Sequence, residues 1–474
     1  MLFNSVGFIG FLTLVFFLYW GFFARNIMRR NLFLLAVSYF FYSCWDVRFL
    51  GLIVLSSIVD YNCGLQIDQT DDRKKKKRFL LISILVNLGI LGFFKYFGFF
   101  AEELSLLVQQ FGYTLHPLTL NIILPVGISF YTFQTLSYTI DIYKGKIPAT
   151  RDLVSFFAFV AFFPQLVAGP IERASHLLPQ FHERKVFDYS AAADGFRRIL
   201  WGLFAKVAVA DTVAPLVDQI FSHSASAGWG TLLLGAFLFA IQIYGDFSGY
   251  SNIAIGSAAL LGFRLMDNFR HPYFSRNLQE FWSRWHISLS TWFRDYVYIP
   301  LGGNRCSKKR HVVNILITFG VSGLWHGANW TFIVWGILHG ITYLVSKPAI
   351  GARKNTSVRL KDMLSVAVTF LVVSLLFVIF RAENIGVAFH YLANMVSLKA
   401  GSVGPFELAG TKQWLEAAFF TFVLILSEWK QREKAFALDI SGWPVVLRIA
   451  GYYFLLFSVL YAFSSDRLFI YFQF

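Results

Sequence analysis

The chain has 474 residues, of which 56% are hydrophobic, 19% aromatic and 15% charged, and its mean hydropathy is +0.56. A soluble domain carries roughly 25% charge, so this composition excludes disordered, collagen-like and disulfide-scaffold classes and points to a protein dissolved in lipid. The excess of 42 basic over 27 acidic residues, +15 net, sits in short loops between apolar segments. Retention of Lys and Arg on the cytoplasmic side explains that placement without nucleic acid. Cys44, Cys63 and Cys306 have no paired spacing, so neither a disulfide framework nor a thiolate metal site is supported.

Val6 to Ala24 is apolar, with no basic residue before it and Arg25, Arg29 and Arg30 after it. A signal peptide has the opposite order and a small-residue cleavage site, so this stretch is predicted to be a membrane helix with its N-terminus outside. Helices over 31–44 and 49–67 make a return trip and place the basic run Arg73 to Arg78 inside. A helix over 79–100 then leads out to the stretch 101–120, which has no Lys or Arg. Positive residues thus fall on one side at successive loops.

A span over 121–143 returns to Lys144, Lys146 and Arg151. Leu153 to Pro170 is interrupted by Pro164, Gly169 and Pro170 and has basic residues at both ends. It is predicted to be re-entrant, since broken backbone at membrane depth survives only where protein or a cavity shields it. Further spans are predicted over 199–220 and 231–263. Between Arg264 and Arg310 nine basic residues outweigh three acidic ones, net +6, which makes this segment cytoplasmic. A hairpin over 312–345 follows, then spans near 363–380, 414–429 and 446–463, for about eleven or twelve in all.

The expected fold is therefore all-α and polytopic, with re-entrant and interfacial helices in addition to the spans. It reads as a single membrane-integral domain, without internal repeats. N-terminal spans cover 1–150, a core with the re-entrant segment and a histidine hairpin covers 151–346, and C-terminal spans cover 347–474.

Ionisable groups inside membrane segments are costly and mark function by default. Phe281 to Tyr298, projected at about 100° per residue, puts Trp282, Trp285, Leu289, Phe293 and Tyr296 on one face. Ser283, Arg284, Ser288, Thr291, Arg294 and Asp295 fall on the other, as in an interfacial helix. His286 breaks the pattern by projecting onto the apolar side. It is either a core histidine bonded to a backbone carbonyl or a residue pointing into a membrane-embedded site.

His326 and Asn329 lie near the turn of the 312–345 hairpin, in Gly-Leu-Trp-His-Gly-Ala-Asn-Trp. Gly323 with Gly327 and Gly336 with Gly340 are small-xxx-small pairs that allow close backbone approach. Packing accounts for the glycines and adequately for His339, and less well for a histidine at a helix break. A haem held by His326 and His339 would need a second helix with similarly spaced histidines, which His271 and His286 do not supply. Asp246, inside an otherwise uncharged span, requires a partner, most simply a basic or hydroxyl group. Glu172 and Arg173 close the Pro- and Gly-rich exit of the re-entrant segment.

Five stretches, in order, resemble the membrane-bound O-acyltransferase family, and within it the bacterial branch of the alginate O-acetylation membrane proteins. They are FFPQLVAGPIERA from Phe162, YGDFSGYSN from Tyr244, FWSRWHISLSTWFRDYVYIPLGG from Phe281, GLWHGANWTFIVWGILHG from Gly323 and FIYFQF from Phe469. The resemblance implies an inward-facing central funnel that admits an acyl donor, commonly acetyl-CoA, and a narrow path to the outer side. It places the family's catalytic histidine on His326 and its second characteristic histidine on His286. One position departs: the family usually has Asp where this chain has Asn252.

Acetyl transfer from a thioester to a hydroxyl needs a base or a histidine that carries the acyl group, and imidazole suits either task near neutral pH. Trp282, Arg284, Trp285, Asp295, Asn329 and Asp246 are the candidate substrate-binding residues. The net +6 segment offers cations for CoA phosphates, though positive-inside bias alone also accounts for them. No permanently bound cofactor or metal is expected. Members of the branch are similar in handing acetyl groups to an extracytoplasmic hydrolase-like acetyltransferase that modifies a polysaccharide. The expected setting is the bacterial inner membrane. Two other readings stay open: D-alanyl transfer to teichoic acid from a carrier protein, and a transporter or channel for an anionic solute.

Overall fold

The computed structural model describes residues 1–113, 123–167, 169–346, 360–434, 436–440, 442–463 and 469–470. Predicted features that fall on 114–122, on Ala168 and on 471–474 of the terminal motif lie outside the described residues. The fold is all-α; a single bridge between Ala227 and Val403 is the only β pairing among the described residues.

Helices start where the sequence supplies a cap. Asn26 accepts from the Arg29 amide at 3.0 Å, Asp72 from Lys74 at 2.8 Å and Asp152 from Ser155 at 3.1 Å. Each such cap is worth about 1 kcal/mol. Among the described residues, seven helices are long and apolar enough to cross a membrane. They are Val6–Phe23, Val47–Gln69, Arg73–Gln110, Tyr189–Ser222, Trp229–Leu260, Leu360–Arg381 and Val445–Ala462. This is a multi-pass membrane protein. The other predicted spans also form helices, Ile27–Ser43, Ile128–Tyr143, Lys308–His326, Trp330–Val345 and Thr411–Lys430, but these are shorter or more polar.

The chain divides into two compact units, Met1–Gly195 with Ser257–Met266, and Phe196–Gly256 with Asp267–Phe474. In the first, Arg73–Gln110 buries only Ser83, Asn87 and Leu91 while Leu85, Phe93 and Phe100 face outward, the inside-out pattern of a helix bathed in lipid. Its buried polar stripe is satisfied: Asn87 and Ser83 both donate to the carboxylate of the buried Asp60, Asn87 at 2.8 Å and Ser83 at 2.5 Å.

The segment predicted to be re-entrant runs as helix Leu153–Ala161, breaks at Phe162 and makes one more turn, Phe163–Leu166. The carbonyl of Phe159, near this break, accepts from Gln134 Nε2 at 2.7 Å and Gln165 Nε2 at 3.1 Å. At the exit, Glu172 accepts from the Met266 amide at 2.5 Å and pairs with His176 at 2.7 Å.

In the second unit, Lys308–His326 and Trp330–Val345 form the predicted hairpin. A Cβ on Gly323 would strike the Phe332 carbonyl, and one on Gly336 the Phe319 carbonyl. These two glycines therefore set how closely the backbones approach. Phe204–Ala210, within Tyr189–Ser222, is wound as a π-helix, and so is Arg294–Tyr298.

One expectation is corrected. Phe281 to Tyr298 is not a continuous helix: Leu278–Arg284 ends at Trp285, and Ile287–Phe293 restarts after His286. His286 takes left-handed backbone angles, φ 42° and ψ 53°. The apolar face was placed correctly, since Trp282, Trp285, Leu289 and Phe293 are buried. Ser288, projected onto the polar face, is fully buried too, its hydroxyl donating to Asn268 Oδ1 at 2.6 Å.

Candidate active site

His326 is the last residue of its helix, and Gly327 then goes extended at φ −168° and ψ 160°. Asn329 caps the next helix, accepting from Thr331 N at 3.0 Å, and its Nδ2 donates to the Glu383 carbonyl at 2.8 Å. The loop between the two helices is thus pinned, and His326 is left 4% exposed. Its ring lies 5.1 Å from Trp325, 5.2 Å from Trp335 and 5.5 Å from Phe380, centroid to centroid. The ring of His286 also faces it, at 6.5 Å.

The second histidine reaches this place through the break in its helix. His286 is fully buried, edge-on to Phe247 at 4.7 Å. Its Nδ1 lies 3.2 Å from Asn268 Oδ1, while Nε2 has no hydrogen-bond partner among the described residues. The left-handed angles cost about 1–3 kcal/mol and are held by main-chain bonds on either side. Ile287 N donates to the Asn268 carbonyl at 2.9 Å and Arg270 N to that of Arg284 at 3.0 Å. A separation of 6.5 Å between ring centres is too long for a direct hydrogen bond. It suits two imidazoles sharing one oxygen through bonds of about 2.8 Å each.

The remaining predicted site residues divide. Trp282 packs on Trp335 at 6.0 Å and on His339 at 5.1 Å, and Trp335 joins that ring cluster to His326. Trp285 is buried against Phe269, Phe281 and Phe377. Arg284 pairs with Glu280 at 2.6 Å and Asp295 with Arg294 at 2.7 Å, toward the exposed side of their helices. Asp246 has found the partner it required: Lys206 Nζ is 2.7 Å from Asp246 and 2.8 Å from Asp211. The other oxygen of Asp246 accepts from Ile470 N at 2.5 Å. At the position that departs from the family, Asn252 donates to the Ser248 carbonyl of its own helix at 2.8 Å.

Sequence reasoning did not reach Asn268, Trp335, Phe380 or Lys206. Lys206 carried a readable signal, a lone cation inside an apolar stretch. Asn268, in a polar loop, carried none. Glu428, a carboxylate within the predicted span 414–429, carried the same kind of signal as Lys206; it belongs to a buried trio with Tyr244 and His271, where the phenol donates to the carboxylate at 2.6 Å and His271 Nδ1 lies 3.5 Å from it.

The model of the membrane-bound O-acyltransferase family matches residues 146–381, which takes in both histidines. The protein named "Probable alginate O-acetylase AlgI" in Azotobacter vinelandii is 45% identical over 369 residues, 78% of this chain and 73% of that protein. The chain belongs to the membrane-bound O-acyltransferase family. It is an O-acyltransferase of the branch that includes the alginate O-acetylation membrane proteins. The peptidoglycan O-acetyltransferase of Helicobacter pylori is 36% identical over 427 residues, 85% of this chain and 79% of that protein. The teichoic acid D-alanyltransferase of Streptococcus thermophilus is 30% identical, over 48% of this chain and 58% of that protein.

Proposed function

We propose that this acyltransferase takes an acetyl group from cytoplasmic acetyl-CoA and passes it across the membrane for O-acetylation of an extracytoplasmic polysaccharide such as alginate. His326 and His286 are its catalytic pair, and an outer hydrolase-like acetyltransferase receives the acetyl group. The observation that carries the reading is the meeting of the two imidazoles, 6.5 Å apart, inside a buried aromatic enclosure. Likeness to the alginate and peptidoglycan O-acetylating proteins supports acetyl as the group and polysaccharide as the destination. Likeness to the D-alanyltransferase extends over a smaller share of the chain.

In this mechanism the acceptor hydroxyl loses its proton to the imidazole pair as its oxygen attacks the thioester carbonyl. The C–O bond forms, the C–S bond breaks, and the departing sulfur takes the proton back. A positioned base contributes about 10²–10⁴-fold. The rings of Trp325, Trp335 and Phe380 exclude water that would otherwise hydrolyse the thioester. Trp282, Trp285 and Asn329 shape the enclosure. Arg284 and its neighbours in the net +6 segment are placed, by the positive-inside pattern, on the donor's side of an inner membrane with the N-terminus outside.

The test supplies membranes containing the full chain with radiolabelled acetyl-CoA and, separately, with D-alanyl carrier protein. Acetyl-CoA consumption with label reaching the glycan or an outer partner is expected. His326→Ala and His286→Ala should each lose nearly all transfer. Consumption of the D-alanyl donor alone would reassign the group transferred. Full transfer by His326→Ala would end the proposed mechanism.

A further inference from the structure

Asn268 meets His286 and its neighbours through both its main chain and its side chain. Its main-chain carbonyl takes the Ile287 amide at 2.9 Å. Its side-chain Oδ1 takes the Ser288 hydroxyl at 2.6 Å and faces His286 Nδ1 at 3.2 Å. Its Nδ2 donates to Ser251 Oγ at 3.1 Å. Asn268, Ser251, Ser288 and His286 are all at least 98% buried.

We propose that Asn268 is the positioning residue that holds His286 in one tautomer, with the proton on Nδ1 and the lone pair on Nε2, so that Nε2 receives the acceptor's proton. The inference rests on the catalytic reading of the two histidines and goes one step beyond it. A carbonyl oxygen has no hydrogen to give, so the Nδ1 contact requires the proton to be on the imidazole. The amide lies with Ser251 on its nitrogen side and Ser288 on its oxygen side. With Nδ1–H committed, Nε2 is the remaining acceptor, and it has no hydrogen-bond partner among the described residues. An unbonded polar atom in a fully buried ring is costly, a cost that makes sense at an atom reserved for a substrate.

The rings against His286 are Phe247, Phe269, Trp325 and His326. His326 is the titratable group among them. When Nε2 takes the hydroxyl proton, Nδ1–H stays on Asn268, whose carbonyl dipole then faces the imidazolium. When the sulfur leaves, the proton goes to it and His286 returns to its starting tautomer. A hydrogen-bond partner that orients a functional histidine is worth about 10–100-fold in activity.

The experiment uses the full-length chain in membranes and follows acetyl-CoA consumption from about pH 5 to 9. Asn268→Asp keeps the shape and puts a carboxylate on Nδ1–H. A carboxylate there makes the imidazole a stronger base. The acid limb of kcat/KM should therefore move to higher pH by about one unit. Asn268→Ala should lower kcat by about 10–100-fold with little change in the KM for acetyl-CoA. In protein with ¹⁵N-labelled histidine, the His286 signal (assigned with His286→Gln) should show a bare Nε2, and a mixture of tautomers in Asn268→Ala. A well-folded Asn268→Asp with an unshifted profile would overturn the proposal, as would wild-type kcat in Asn268→Ala. If Asn268→Ala does not fold, the near-isosteric Asp variant decides. Loss of transfer in His286→Gln and His326→Gln together with an unshifted Asp variant would sink the positioning role alone. Full transfer in both histidine variants would sink the catalytic reading beneath it.

Discussion

His326 stands perpendicular to Trp335, ring centroids 5.2 Å apart and interplanar angle 90°. The same indole meets His339, one turn along its own helix, at 4.8 Å. Trp335 is thus the wall against which the His326 ring rests, and an edge-to-face pair is worth about 0.5–1.5 kcal/mol beyond its buried area. Trp335→Phe, which keeps an aromatic face, should retain most transfer. Trp335→Ala should cost about tenfold or more in kcat, the size of an orienting contact, which a radiolabel assay on membranes would measure. Equal activity in the two variants would show that the wall is not needed.

The hairpin leaves no room for side chains at Gly323. Gly323→Ala should cost about 1–3 kcal/mol, the price of overpacking, and lower the midpoint of thermal unfolding in detergent. Gly320 is the internal control: a Cβ there would meet only Ile337 at an ordinary 3.6 Å. Gly320→Ala should stay near wild type. If both variants unfold at the same temperature, close backbone contact is not what holds the two helices.

Lys206 lies between two buried carboxylates, Asp211 and Asp246. Lys206→Met removes their shared countercharge and should cost about 3–5 kcal/mol, as for other buried pairs broken on one side. Size-exclusion profiles in detergent should then show aggregation. Adding Asp211→Asn and Asp246→Asn removes the leftover charges and should restore a monodisperse peak. A stable Lys206→Met single variant would count against the pairing.

The Glu172–His176 contact gives stability a pH dependence with a definite sign. The hydrogen bond to Glu172 raises His176 above its ordinary 6.5, and burial raises Glu172 as well. In both cases the folded form binds protons more tightly than the unfolded one. The contribution of His176 is therefore complete below about 6.5 and is lost as pH rises through its folded value. The unfolding midpoint of the wild type should fall more steeply than that of His176→Gln between about pH 6.5 and 9. Parallel curves would remove the pair from the account.

Much of this arrangement could be read from residue order, and its gaps have physical causes. Apolar length and loop charge located the helices, and the Gly-Ala-Asn after His326 marked the hairpin break. The need of Asp246 for a partner followed from the cost of a lone carboxylate in a span, while the identity of that partner did not. A periodic projection cannot anticipate a left-handed residue, so it treated Phe281 to Tyr298 as one helix and put Ser288 outside. Asn268 was invisible for a different reason. Its importance comes from three residues distant in sequence, Ser251, His286 and Ser288, that meet only after folding.

Lys206 and Asp211 are five positions apart, and in a regular α-helix five steps of about 100° would leave them on nearly opposite sides. The wider winding of Phe204–Ala210 swings them together. In this stretch it is therefore the number of residues that must be conserved more strictly than their kind. Exchanging one small apolar side chain for another leaves the geometry alone. Dropping a single residue would turn everything from Asp211 to Ser222 by about a quarter of a revolution and carry the carboxylate away from its ammonium.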